Sequence, residues 1–163
     1  MRSAVTVGDY IIARGNGVFT PMQVLKLAYI SHGYTLAIRD GEPLFHDRIE
    51  AWKYGPVIPN LYHALKEFGD KPIPRLYVCG TPVTSSLIKN RISELAEMLE
   101  AENCSIIDRV IEGYGDCDGF QLSDITHSEG SPWDTCYVKG QWHTEIPNDE
   151  IQRYYEDKIN AVQ

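Results

Sequence analysis

The strongest hydrophobic pattern runs from Thr20 to Ile38, where Leu25, Ala28, Tyr29, Leu36 and Ala37 fall along one helical stripe and Leu27, Ile30 and Tyr34 widen it. Thr20-Pro21 opens this helix as an N-cap followed by a proline in the first turn, where the backbone N–H has no partner to lose. A helix apolar on so many sides is predicted to be the centre of the fold. Gly33 sits in its interior at a cost of ~1 kcal/mol relative to alanine, which predicts a close helix crossing there. His32 beside it reads as a histidine packed at that crossing. Upstream, Val5 to Ala13 alternates apolar and polar residues loosely and reads as a short helix ended by Gly15-Asn16-Gly17.

Asp40-Gly41 then makes a turn, and the short apolar pairs between Glu42 and Trp52 predict a small β-hairpin. Next comes Trp52-Lys53-Tyr54-Gly55-Pro56, a tightly punctuated turn in which Gly55 frees the backbone and Pro56 fixes φ. Pro59 suits the first turn of a helix from about Asn60 to Phe68, with Leu61, Ala64, Leu65 and Phe68 inward and Gly69 as its cap. Asp70 to Pro74 is a proline-broken loop, and Arg75 to Cys79 reads as a brief strand in a peripheral insertion.

From Ser86 to Tyr114 apolar positions keep helical phase, as one long helix or two packed ones. Phe120 to Thr126 reads as a short helix with Leu122 and Ile125 inward, followed by a turn around Trp133 to Tyr137. After a polar loop, Ile146-Pro147 with Asn148 or Asp149 starts a terminal helix whose apolar face is Ile151, Tyr154, Tyr155 and Ile159. The expectation is therefore a mainly α (α+β) fold: one compact helical domain over residues 1–163, built around a central helix with a small β-hairpin.

Composition narrows the function more than the fold. A formal net charge of -8 argues against nucleic acid as a partner and makes a basic one easier to accommodate; it also simply keeps a small protein soluble. The N-terminal residues carry neither a signal peptide nor a membrane span, so a cytoplasmic location without a membrane partner is expected. Cys79, Cys104, Cys117 and Cys136 show no Cys-x-x-Cys or zinc-ligand spacing. They read as free, mostly buried thiols, with no metal and no cofactor implied.

The chain has no Gly-x-Ser-x-Gly elbow, phosphate-binding glycine loop or His-Glu-x-x-His helix, which removes the reaction classes that need them. A hydrolase reading has only His127 with Glu129, or a cysteine with a histidine, to build on. Thr126 to Gly130 equally suits a structural role, with His127 bridging a helix end and the next turn. Trp133 is either an exposed anchor or a lid on the core. Trp52, Lys53 and Tyr54 precede a rigid Gly-Pro step that holds side chains in a fixed direction, as a binding hot spot needs and a core corner needs equally.

Three blocks carry a family resemblance: Lys26-Leu27-Ala28-Tyr29 with His32-Gly33, Arg48 to Val57 around Glu50-Ala51-Trp52-Lys53-Tyr54-Gly55-Pro56, and Thr126 to Trp133. With these the chain resembles the Panacea domain, the SocA-like antitoxin family of bacteria and their phages. Thr84 to Glu102 is where it departs from the common pattern. The resemblance implies a binding protein and not an enzyme: an antitoxin that neutralises a protein toxin by direct stoichiometric binding, or by handing it to a protease. The alternative is a phage-borne inhibitor of a bacterial defence system such as a CRISPR nuclease complex, and a Cys/His hydrolase is the third reading. Trp52, Lys53, Tyr54, His127 and Trp133 are the partner-binding candidates.

Overall fold

Eight helices and one two-stranded antiparallel sheet make up the described residues, 2–162; the structure is a computed structural model. Helix α1 spans Ala4–Arg14, α2 Pro21–Ile38, β1 Glu50–Trp52, β2 Gly55–Val57 and α3 Pro59–Leu65, the last extended by a 3₁₀ turn at Lys66–Phe68. Then follow α4 (Ile88–Leu99), α5 (Ala101–Tyr114), α6 (Gly119–Thr126), α7 (Pro132–Cys136) and α8 (Asn148–Ala161). The fold is mainly α with a small hairpin. No helix among the described residues is long and apolar enough to cross a membrane.

Helix α2 is the axis on which the others pack: α1, α3, α5, α6 and α8 all lie against it. Its start is fixed by a full capping box, in which Thr20 accepts from the Gln23 amide while the Gln23 side chain accepts from the Thr20 N–H. Val24, Leu27, Ala28, Tyr29, Ile30 and Leu36 are all buried, pointing to different sides, which is why its apolar stripe is so wide. Gly33 marks the crossing with α8: a Cβ there would lie 2.3 Å from the Tyr155 ring. His32 is buried beside it, stacked on Phe45 at 4.2 Å and bonded through Nε2 to Asn148 Oδ1 at 2.9 Å. Burial holds its pKa down to about 4, so the ring is neutral and ties α2 to the start of α8.

Helix α1 is a core element and not a marginal one. Ser3 caps it, and Val7, Tyr10, Ile11 and Ile12 are buried. From its middle, buried Asp9 accepts the backbone N–H groups of Tyr77 (2.6 Å) and Val78 (3.0 Å), and desolvation raises its pKa despite both bonds. Those amides are thereby taken from any ladder. The strand expected over Arg75 to Cys79 is accordingly a turn, with only an isolated bridge between Arg75 and Pro82. The insertion is not peripheral either, since Ile73 and Leu76 are buried in the core.

The hairpin lies further along the chain than the pattern of residues 42–52 indicates. Leu44 and Phe45 are buried in an irregular segment, where the Arg2 guanidinium donates to the carbonyls of Pro43 and Leu44. The strands pair instead as Glu50 with Val57, Ala51 with Pro56 and Trp52 with Gly55, so Lys53-Tyr54 is the turn and Gly55-Pro56 is second-strand backbone. The long apolar run after Ser86 resolves into α4 and α5, broken at Glu100, whose φ of 75° ends one helix and starts the next. All four cysteines are free, with Cys104 buried and Cys117 and Cys136 half-buried. Cys79 departs from the expected burial by lying exposed at the tip of the 76–80 turn.

Candidate functional site

The hairpin, α2 and α3 meet along a groove of ≈ 1180 Å³. Its floor is the N-terminal half of α2, with Met22, Leu25 and Lys26; β1, its turn and Val57 form one wall, and Tyr62 and His63 of α3 with Lys66 of the following 3₁₀ turn a second. Tyr62 and His63 are off the Leu61, Ala64, Leu65 stripe that the helix buries, which is why they face outward. The last wall is the segment Tyr137–His143, which carries Trp142 at 85% exposure.

That segment is fastened to the hairpin. Arg48 donates to the His143 carbonyl (2.6 Å) and pairs with Glu145 (2.6 Å), while the Ala51 N–H donates to Thr144 O (2.8 Å) and the Ile146 N–H to Ile49 O (2.9 Å). A bridge between Glu50 and Glu145 makes it a partial third strand beside β1. Buried Glu50 joins the pieces: its carboxylate accepts from Arg48, from Trp52 Nε1 (2.9 Å) and from His143 Nδ1 (3.1 Å). Desolvation pushes the Glu50 pKa up, but these donors outweigh it and hold the carboxyl below its ordinary range.

The five candidate residues divide into two groups. Trp52, Lys53 and Tyr54 line the groove. Trp52 is half-buried with its edge on Tyr62 (5.1 Å); Tyr54 is 69% exposed, with the Lys53 ammonium 5.3 Å from its ring centre. His127 and Trp133 stand behind the hairpin, outside the groove. His127 closes α6, its Nδ1–H donating to the Ser123 carbonyl, and meets Trp133 edge-on; Trp133 Nε1 donates to the Trp52 carbonyl, and the ring stacks on Tyr137 at 4.7 Å. Ser123 Oγ donates to the Tyr54 carbonyl at 2.9 Å. The two therefore brace the backbone that presents Trp52 and Tyr54. No group of three or more His, Cys, Asp or Glu side chains among the described residues is placed to hold a metal ion.

Lys26 is the groove residue that its own chemistry makes conspicuous. It is 4% exposed, its Nζ donates to Pro56 O at 2.9 Å, and burial lowers its pKa to about 8. Between pH 8 and its ordinary value of 10.5 the unfolded chain holds this proton and the folded chain releases it, so Lys26 makes stability rise with pH in that window. Lys26→Met should abolish that rise, which is of order 3 kcal/mol. Denaturant midpoints of the two proteins across the window test this, and a constant difference between them would refute it.

The comparisons with known proteins can be set on this geometry. A family model described as Antitoxin SocA-like, Panacea domain matches residues 24–134, more than half of the chain. The chain belongs to that family. It is also 29% identical over 109 residues to Antitoxin SocA of Caulobacter vibrioides (strain NA1000 / CB15N), covering 67% of this chain and 55% of that protein's length. The chain thus spans little more than half of this relative. No solved structure matches it. The Panacea match takes in most of α2, the hairpin, α3 and the bracing pair His127 and Trp133, whereas the Trp142 wall and α8 lie beyond it. Sequence reasoning passed over Trp142 as part of a polar loop. A tryptophan inside Lys139-Gly140-Gln141-Trp142-His143 was the available signal, because nothing local can bury it.

Proposed function

We propose that this Panacea domain is an antitoxin that neutralises a protein toxin by direct, stoichiometric binding in the groove, without catalysis of its own. The observation that carries the reading is the groove itself, whose walls carry exposed Tyr54 and Trp142 and half-buried Trp52 and Tyr62. Aromatic anchors on a braced backbone lose little side-chain entropy on binding, and such residues dominate interface energetics. Family membership supplies the kind of partner. Binding there covers or distorts the toxin's active surface.

The test is a titration against the toxin co-purified from the native host. Inhibition should saturate at a fixed molar ratio. Protection at far below one equivalent would overturn simple occlusion, because only a protein that turns over, as an enzyme or as a protease adaptor, works at that level.

A further inference from the structure

The groove's charge is opposite to that of the protein. The chain carries a formal net charge of -8, yet four lysines, Lys26, Lys53, Lys66 and Lys139, line the groove and no Asp or Glu does among the described residues. Glu50, in the strand that forms one wall, is buried and its carboxylate is occupied by Arg48, Trp52 and His143. At the floor, the Lys26 ammonium has three protons to donate and a single acceptor, Pro56 O. A buried cation with no carboxylate partner is costly unless a ligand supplies one.

From this we propose that the groove receives an acidic segment of a protein chain, with one Asp or Glu carboxylate directed at Lys26 and aromatic or leucine side chains between the groove's rings. The proposal rests on the groove being the partner-binding face. The volume of ≈ 1180 Å³ exceeds the usual range of small-ligand pockets, about 300–1,000 Å³, and suits a stretch of polypeptide. A negative segment is drawn to this basic lining while the net negative charge of the chain disfavours it elsewhere, which biases where it docks. A single-stranded nucleic acid would share the stacking and the positive charge, but its phosphates continue beyond the groove onto a surface of their own sign. One buried ammonium also matches one carboxylate better than it matches a phosphate chain.

The probe is a display library of random dodecapeptides, selected on the wild-type protein and counter-selected on the Lys53→Glu/Lys66→Glu variant, whose two positions are exposed. Enriched peptides should be net acidic with an aromatic or leucine residue. In fluorescence anisotropy they should weaken with added salt, and weaken roughly tenfold or more in both the double variant and Lys26→Met. If Lys26→Met fails to fold, the double variant alone decides. Enrichment of neutral or basic peptides, no enrichment over the double variant, or tighter binding of oligo(dT) than of any selected peptide would each overturn the proposal. Neutralisation of the toxin is scored separately. Groove variants that lose neutralisation without an acidic-peptide preference leave the antitoxin reading standing and remove this one; the reverse result keeps the acidic-peptide site and removes the groove as the toxin's face.

Discussion

Gly55→Val is expected to lower the melting temperature by roughly 5–10 °C and to loosen the groove along with the fold. Gly55 has φ of 123°, a backbone region that a β-branched residue enters only under strain of about 1–3 kcal/mol. A Cβ at this position would also lie 2.9 Å from Lys26 Nζ and 3.6 Å from His127 Cβ. The lysine cannot swing clear without giving up its bond to Pro56 O. Gly55→Ala serves as the graded control, sharing the φ penalty without the branch. An unchanged melting temperature in the valine variant would show that position 55 relaxes into ordinary extended backbone and that the hairpin does not depend on glycine there.

The second large effect is on binding alone. Tyr54→Ala combined with Trp142→Ala should weaken the proposed toxin complex by about a thousandfold or more, since hot-spot truncations cost ~2–4 kcal/mol each and 1.4 kcal/mol is a factor of ten. Both rings are largely exposed in the free protein, so the melting temperature should hardly move. His127→Ala should behave in the opposite way, lowering stability through the lost brace on α6 and Trp133 and affecting binding only through that. Calorimetric titration beside thermal melts separates the two classes. Full affinity in the Tyr54/Trp142 double variant would remove the groove from the toxin interface.

What was legible in the residues was whatever depends on neighbours in the chain. The Thr20-Pro21 start, the Gly69 cap and the α8 stripe are local, and their physics acts within a turn or two. Gly33 was informative because a helix-interior glycine needs a reason, and Tyr155 is that reason. The errors came where distant groups decide. Asp9 takes the amides of Tyr77 and Val78 from 68 and 69 residues away and turns an expected strand into a turn. Leu44 and Phe45 are apolar enough for a strand, but they are drawn into the core and the pairing falls to Glu50–Val57. His127 and Trp133 share a motif with each other and lie outside the groove, and Trp142 is brought to it by long-range ties of its segment to the hairpin, among them the bond from Arg48 to His143 O across 95 residues. Periodicity carries no information about such bonds.

The many-sided packing of α2 sets the order in which the core is completed. This helix leaves the ribosome early, with apolar residues on every side, but the α8 groups that cover it arrive last: Asn148, which holds His32, follows it by 116 residues. At about 5–20 residues per second, the α8-facing side of α2 waits roughly 6–23 seconds for its cover, while α1, α3, α5 and α6 are made in the meantime. A chain interrupted before α8 would leave His32 and the Gly33 crossing without Asn148 and Tyr155, the groups that complete the core on that side of α2.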